Sequence, residues 1–238
     1  MEDKKVYTEG IKSDSKFAKW FDNYWYHYKW ITIGVIFFIV VVLVCTLQMC
    51  EKEGDDTVVL YAGPYQLSAG QVEGIRGVIN TVMPDDFNGD GKKYTAIVNY
   101  LIYSEEQIKE IEAQTDEYGV RLDVNNQYIT ENYDSYYDYI LTGESPICLV
   151  DRHLYSDLVK HGRLLPLSVA LDDSSYESDE YGLVLSKLAI YEEYSALRVL
   201  PEGTVLCFLR QTVVKPDASY ENDKAIFKAI VGFEKTGE

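Results

Sequence analysis

The feature of this sequence that most constrains its structure is a charge-free apolar run from Trp30 to Cys50. At about 1.5 Å of rise per residue, such a run forms a helix of roughly 30 Å, the thickness of the hydrocarbon layer of a membrane. Backbone groups in lipid must bond to one another, so a helix is the expected conformation. The run therefore predicts a single transmembrane helix over Trp30 to Cys50, with the lipid bilayer as its partner. A buried helix of a soluble core and a cleaved signal peptide are the alternatives.

The residues on either side of this run predict its orientation. Positive charge is retained on the cytoplasmic side of a membrane helix, and six lysines precede the run whereas residues 51–56 are mainly acidic. We therefore expect residues 1–29 to be a cytoplasmic tail, 51–56 a linker, and 57–238 an extracellular domain of a cell-membrane protein. Amphipathic aromatic rings suit the headgroup layer, so we expect a short interfacial helix before the run. Its aromatic residues are Trp20, Phe21, Tyr24, Trp25, Tyr26, Tyr28 and Trp30.

The region after the run is strongly acidic. Residues 51–238 contain 34 acidic and 16 basic side chains, a net charge of −18. Such a surface repels phosphate backbones, so nucleic acid is not an expected partner. A solvated, self-repelling surface is the simplest interpretation of this charge.

Alternating strand and helix patterns predict an α/β fold for residues 57–238. Segments that are apolar on both faces predict buried strands, and a serine followed three residues later by glutamine predicts helix starts at Ser68 and Ser104. The predicted strands are 57–62, 94–103, 146–150, 183–185, 188–191 and 204–209, with an extended apolar segment at 164–171. The predicted helices follow Ser68, Ser104 and Asp151, begin near Ser219, and cover 133–141 after a polar connection at 125–131. This alternation indicates a layered sheet with helices packed on it.

A short acidic motif at 86–91 suggests a calcium site. In the sequence Asp-Phe-Asn-Gly-Asp-Gly, the oxygen-bearing residues Asp86, Asn88 and Asp90 alternate as in the opening of a calcium-binding loop. The twelfth position of such a loop carries a bidentate acidic ligand, and here it is Ile97. A turn rich in Asn, Asp and Gly adopts a similar backbone without metal. A calcium site and a metal-free turn are therefore both open, and calcium is the one cofactor that the sequence suggests.

The 21 tyrosines include candidates for ligand binding. Tyr133, Tyr136 and Tyr137 have the spacing of one helix face, which favours core packing over sugar or peptide binding. Tyr61 and Tyr65 lie at the end of the first strand and just after it. Ligand sites of α/β proteins lie beyond the carboxyl ends of strands, so Tyr61 and Tyr65 are the predicted ligand-binding residues.

The remaining reactive side chains predict no catalytic residues. His153 and His161 are eight positions apart, too far for a zinc site without a further ligand, and solvent exposure is the simpler interpretation. The sequence has no glycine-rich phosphate loop and no nucleophile elbow. Cys148 and Cys207 each fall in a predicted buried strand, where two free thiols are favoured. A disulfide is the alternative, and it depends on whether the two strands are neighbours.

The middle of the chain contains Gly-Glu-Ser-Pro-Ile-Cys-Leu-Val-Asp at 143–151, Leu-Tyr-Ser-Asp-Leu at 154–158 and Gly-Arg-Leu-Leu-Pro-Leu at 162–167, after an Asn-Gly-Asp-Gly turn at 88–91. With these segments it resembles extracellular solute-binding proteins of bacterial transporters. The resemblance covers about 100 residues and implies an α/β domain like one lobe, or a reduced form, of a periplasmic-binding-protein fold. Members of the family have two lobes and are longer, so the resemblance implies a sensor or docking module.

These observations together predict a non-enzymatic surface protein of bacterial type. Its extracellular α/β domain is expected to bind a small ligand or a protein partner outside the cell. An envelope-associated hydrolase that uses two carboxylates is one alternative. A structural subunit of a membrane complex, in which the helix itself is the interface, is the other.

Overall fold

The computed structural model describes residues 16–50 and 54–234, and the chain divides into two compact units, residues 1–52 and 53–238. In the first unit, helix α1 covers Lys16–Cys50. Its segment Asn23–Thr46 has a mean hydropathy of 2.5 and is long and apolar enough to cross a membrane, a property that it shares with signal sequences. The tail before residue 16 and the linker at 51–53 lie outside the described residues.

The aromatic segment and the apolar run form one continuous helix. A separate interfacial helix was the expectation from the sequence, but no proline interrupts residues 16–50 and the backbone bonds of α1 continue through them. Rings four residues apart stack along this helix. Trp20 and Tyr24 have ring centroids 5.7 Å apart, and Tyr24 and Tyr28 have centroids 5.4 Å apart. The stacking gives the first turns of α1 an aromatic surface on one side.

The second unit is a mixed α/β structure, which confirms the predicted fold class at that level. Its five-stranded sheet has the order β2-β1-β3-β5-β4; β1 is parallel to both β2 and β3, while β5 is antiparallel to β3 and β4. The strands are β1 Thr57–Gly63, β2 Thr95–Leu101, β3 Ile147–Val150, β4 Gly182–Val184 and β5 Val205–Phe208. The helices are α2 Ala69–Val82, α3 Glu105–Glu112, α4 Asn126–Thr142, α5 Arg152–Lys160, α6 Leu167–Ala170, α7 Ala189–Glu193 and α8 Asp217–Val231, with short 3-10 turns at Leu185–Lys187 and Ser195–Val199.

Local side-chain caps fix where the helices begin. Both predicted capping boxes form: the Gln71 side chain accepts from the Ser68 amide at 2.8 Å, and the Gln107 side chain accepts from the Ser104 amide at 2.7 Å. The Asp151 carboxylate accepts from the His153 amide and starts α5. These caps satisfy backbone donors that have no partner within the helix. Each of these three helices is the next element of the chain after one of the three parallel strands.

Hydrophobic side chains cover both faces of the sheet. One face, with Val59, Ile147 and Phe208 among its buried residues, packs against α2, α6 and α8. The opposite face, with Leu60, Cys148 and Cys207, packs against α4 and α5. Burial on both faces explains why these strands are apolar throughout rather than alternating.

A buried ion pair lies where α8 meets the start of β1. Asp223 is fully buried, accepts a hydrogen bond from the Thr57 hydroxyl at 2.6 Å and forms an ion pair with Lys215 at 2.8 Å. Burial raises the pKa of the Asp223 carboxyl, although Lys215 and Thr57 act in the opposite direction. The paired ammonium is therefore what keeps a charged carboxylate tolerable in this position.

Three predicted elements are wrong in detail. The polar connection at 125–131 is helical, because the Asn125 side chain accepts from the Tyr128 amide and starts α4 earlier than the apolar spacing indicates. The predicted strand at 188–191 lies mostly in α7, which buries Ile190. The extended segment at 164–171 makes one bridge, from Leu164 to Leu209, and then enters α6. Short apolar stretches fit both periods, and tertiary packing selects between them.

Candidate functional site

The three parallel strands end together at one edge of the sheet, which we call the carboxyl edge. The Gly63 carbonyl accepts from the Ile102 amide just after β2, and the Ala62 carbonyl accepts from the Asp151 amide just after β3, both at 2.9 Å. The chain passes from β1 to β2 on one side and returns to β3 on the other, so strand order reverses at β1. Ligands of open α/β sheets bind at such a reversal, beyond the carboxyl ends of the strands.

Tyr61 places a buried hydroxyl group at this edge. Its side chain is 1% exposed, and its hydroxyl has no hydrogen-bond partner among the described residues. The hydroxyl lies beside Gly63, and a Cβ added to Gly63 would be only 3.0 Å from the Tyr61 oxygen. Burial raises the pKa of Tyr61 to about 12; the Tyr65 amide acts in the opposite direction but does not complete a hydrogen bond. The position thus has a polar atom that no described residue satisfies.

Tyr65, the other predicted ligand-binding residue, is held at the surface of the same edge. It is 41% exposed, and its hydroxyl accepts from the Gln71 side-chain amide at 3.0 Å. The neighbouring Gln66 donates to the Asn99 side chain on β2, also at 3.0 Å. The structure therefore brings Tyr61 and Tyr65 to one edge, with Tyr61 beneath and Tyr65 outside.

A groove adjoins the Tyr65 loop. It has a volume of about 440 Å³ and lies between the first turns of α2 and the 3-10 turn Ser195–Val199. Glycines allow the close approach, since a Cβ on Gly74 would lie 3.3 Å from the Ala196 Cβ. Gln71 lines this groove and also holds the Tyr65 hydroxyl. The groove supplies space for a small ligand beside the carboxyl edge.

An exposed carboxylate lies at the start of α3, beyond the carboxyl edge. The pKa of the Glu106 carboxyl is lowered, first by its own backbone amide and the Ser104 hydroxyl and further by nearby Lys109. Glu106 lies in the first turn of α3, and His153 lies in the first turn of α5. The starts of α3 and α5, which follow β2 and β3, therefore both lie beyond the carboxyl edge.

The acidic motif at 86–91 forms a tight turn whose side-chain oxygens accept from backbone amides. Asp86 accepts from the Gly89 amide at 2.8 Å and from the Gly91 amide; Asn88 accepts from the Asp90 amide at 2.9 Å. Gly89 and Gly91 both have positive φ, which a turn of this type requires. Within 16–50 and 54–234, His, Cys, Asp and Glu form no group of three or more that would suit a metal ion. A calcium site at Asp86, Asn88 and Asp90 stays a prediction.

The tyrosines of α4 differ from their predicted positions. Tyr136 is 3% exposed and belongs to the core, as expected. Tyr133 and Tyr137 are 37% and 45% exposed, so the prediction that they pack in the core is wrong. Tyr136 packs into the cluster that contains Cys148 and Cys207 of the sheet, whereas Tyr133 and Tyr137 line an open space between α4 and α5. His161 is exposed, as the sequence indicated, and so is His153.

Cys148 and Cys207 lie directly opposite each other on β3 and β5, and both are free and fully buried. Burial raises the pKa of the Cys148 thiol well above its usual value. The Leu209 amide donates to the Pro146 carbonyl, so Pro146 and Leu209 form a hydrogen-bonded pair of this antiparallel ladder. Hydrogen-bonded and non-hydrogen-bonded pairs alternate, and Cys148 and Cys207 are two positions further on, so they also form a hydrogen-bonded pair. Cβ atoms of such a pair are about 5.5 Å apart, whereas a disulfide needs about 3.5–4.5 Å. The strands are neighbours, but their register favours two thiols.

Comparisons of the chain with protein-family models, with curated proteins and with solved structures gave no match. The candidate site therefore rests on the geometry of the carboxyl edge.

Proposed function

We propose that this chain is a single-pass membrane protein whose α/β unit is a non-catalytic binding module at a bacterial cell surface. In this proposal the unit corresponds to one lobe of a solute-binding protein, and a small ligand binds at the carboxyl edge through Tyr61 and Tyr65. The observation that carries the proposal is the buried Tyr61 hydroxyl, which has no partner among the described residues.

A buried hydroxyl without a partner costs about 1–3 kcal/mol. Such groups are rare in folded proteins, and those that exist call for an explanation. A ligand oxygen that accepts from Tyr61 would supply the missing partner, and Gly63 has no side chain to obstruct its approach. The first turns of α2, α3 and α5 add backbone donors and positive ends of helix dipoles. This donor set favours a ligand that carries a carboxylate, such as an amino acid or a short peptide.

Thermal unfolding of the full-length chain in phosphatidylcholine nanodiscs tests this proposal. The probes are amino acids and dipeptides, and each is compared with the corresponding carboxamide. A ligand at 100 times its Kd stabilises the folded state by about 2.7 kcal/mol, which raises Tm by roughly 5–10 °C for a unit of this size. We expect a shift with the carboxylates and a smaller one with the carboxamides.

Two variants separate a specific shift from a general one. Tyr61→Phe removes the donor and should abolish the shift, whereas Tyr118→Phe alters a side chain that is 82% exposed and should retain it. No shift with any probe would refute the small ligand and leave a protein partner as the remaining branch of the proposal.

The membrane part of the proposal rests on α1. Its 24-residue apolar segment Asn23–Thr46 would be about 36 Å long as a helix, enough to cross the hydrocarbon layer. Lysines before it and acidic residues after it favour a cytoplasmic N-terminus and an extracellular α/β unit. Protease added to whole cells should digest the α/β unit of a membrane-bound, full-mass chain. A chain whose mass shows that α1 has been removed would identify α1 as a cleaved signal sequence. An α/β unit that the protease does not digest would show that this unit lies inside the cell.

A further inference from the structure

A second, separate cleft lies on the other face of the sheet, between α4 and α5. We call it the tyrosine cleft. Its volume is about 230 Å³, which is below the range of about 300–1,000 Å³ typical of sites for drug-sized ligands. It therefore has room for a single ring. Its lining residues are Tyr133, Tyr136, Tyr137, Ile140, Asp157, Leu158, His161 and Arg163.

One wall of the tyrosine cleft is an aromatic platform on α4. The rings of Tyr133 and Tyr137 are nearly parallel, with an angle of 8° and centroids 6.5 Å apart. Tyr136 is buried and its ring lies 6.1 Å from that of Tyr133, tilted by 49°. Leaving two large half-exposed rings beside an open space gives up the free energy that their burial would contribute. A flat ligand placed on them would recover it.

The opposite wall is polar and comes from α5 and the residues after it. The Asp157 carboxylate and the Arg163 guanidinium have no ion-pair partner in the part of the chain that the structure describes. His161 uses Nδ1 with the Asp157 carbonyl at 2.8 Å, which leaves Nε2 for another partner. Burial, together with the nearby Asp157, raises the pKa of Tyr133, which therefore stays neutral and able to donate a hydrogen bond.

From this juxtaposition we infer that the tyrosine cleft binds a neutral pyranose ring. A pyranose presents a flat face of C–H groups, which suits a phenol ring, and carries hydroxyls around its edge that both donate and accept. Carboxylate, guanidinium, imidazole and phenol groups at the rim match those hydroxyls. One acidic and one basic side chain balance in charge, so the cleft favours a neutral ligand. An aromatic ligand would occupy the platform but leave the polar wall unpaired.

Saturation-transfer NMR on the full-length chain tests this inference. Nanodiscs of phosphatidylcholine are used because common detergents carry sugar headgroups that would compete. The probes are glucose, galactose and N-acetylglucosamine, with indole as the aromatic comparison. We expect saturation of the ring C–H protons of at least one sugar and weaker saturation of indole. Saturation of no sugar, or of indole alone, would overturn the inference.

Variants locate the binding. Tyr133→Ala and Tyr137→Ala remove half-exposed rings, and each should weaken the sugar signal at least tenfold. Arg163→Met keeps the aliphatic part of the side chain, so it should weaken the sugar signal only through the loss of the guanidinium hydrogen bonds. Tyr118→Ala is the matched control, because this exposed tyrosine lies outside the cleft. Near-ultraviolet circular dichroism checks that each variant is folded. A sugar signal that survives in folded Tyr133→Ala and Tyr137→Ala proteins would place the sugar elsewhere.

The two proposed sites can fail independently. Tyr61→Phe should leave the sugar signal unchanged, since Tyr61 packs on the opposite face of the sheet. A sugar signal lost in Tyr61→Phe and kept in Tyr133→Ala would assign the sugar to the carboxyl edge instead.

Discussion

Replacing Tyr61 by phenylalanine should stabilise the ligand-free protein. The substitution removes a buried hydroxyl that has no partner in the described part of the chain, and it leaves the ring in its core position. An unsatisfied buried polar group costs about 1–3 kcal/mol, and the vacated space offsets part of the gain. We therefore expect a stabilisation of about 1 kcal/mol, or a rise in Tm of roughly 2–4 °C. The sign is diagnostic, because most substitutions of buried residues destabilise.

Alkaline pH provides a second measure of the same hydroxyl. The pKa of Tyr61 is about 12 in the folded protein and 10.0 in a free side chain. Between these values the folded state holds a proton that the unfolded state has lost, so this contribution to stability is complete below pH 10 and declines as pH rises towards 12. At pH 11 the free energy of unfolding of the wild type should therefore fall by about 1.4 kcal/mol more than that of Tyr61→Phe. The difference in stability between the two proteins becomes larger.

Chemical denaturation at pH 7 and pH 11 measures both quantities. All three tryptophans lie in α1, so tryptophan fluorescence does not report on the α/β unit. Tyrosine circular dichroism in the near ultraviolet is the suitable signal. A Tyr61→Phe protein that is less stable than wild type at pH 7 would refute the reasoning, because it would show that the hydroxyl is hydrogen-bonded in the absence of ligand.

The other predictions concern the buried ion pair, one glycine and the cysteines. Lys215→Met leaves the Asp223 carboxylate buried without its cation and should cost about 3–5 kcal/mol in denaturation experiments. Gly143→Ala should cost more than about 1 kcal/mol, because Gly143 has φ +67 and an added Cβ would lie 2.6 Å from the nearest side-chain atom. Cys148 and Cys207 should remain thiols, so an alkylating agent should add to both only after denaturation, without prior reduction.

Matched controls make these predictions specific. Lys109→Met breaks an exposed ion pair of 3.8 Å and should change stability by less than about 1 kcal/mol. Gly77→Ala places a Cβ in open space within α2 and should stabilise by about 0.5–1 kcal/mol. Equal effects in control and test variants would contradict the burial and strain arguments. Alkylation of Cys148 and Cys207 that requires prior reduction would show a disulfide and would contradict the register argument.

Features that depend on a few consecutive residues could be predicted before the fold was known. The apolar run predicts a helix because its length and lack of charge can be read directly, and the glutamines three positions after Ser68 and Ser104 predict helix starts because a capping box is local. Strands apolar on both faces predicted a sheet covered by helices. These inferences hold because periodicity and caps involve contacts of short sequence separation.

The contacts between segments that are distant in the sequence became known only from the folded chain. It placed Cys148 opposite Cys207 in a register that keeps both thiols free, and it left Tyr133 exposed while burying Tyr136. It also set the Tyr61 hydroxyl beside Gly63, where residues 16–50 and 54–234 offer it no hydrogen-bond partner. Strand order, register and the helix that covers each face come from long-range packing. The same local pattern is compatible with several of these arrangements, so the sequence indicated Tyr61 and Tyr65 but not the tyrosine cleft, whose two walls meet only when the chain is folded.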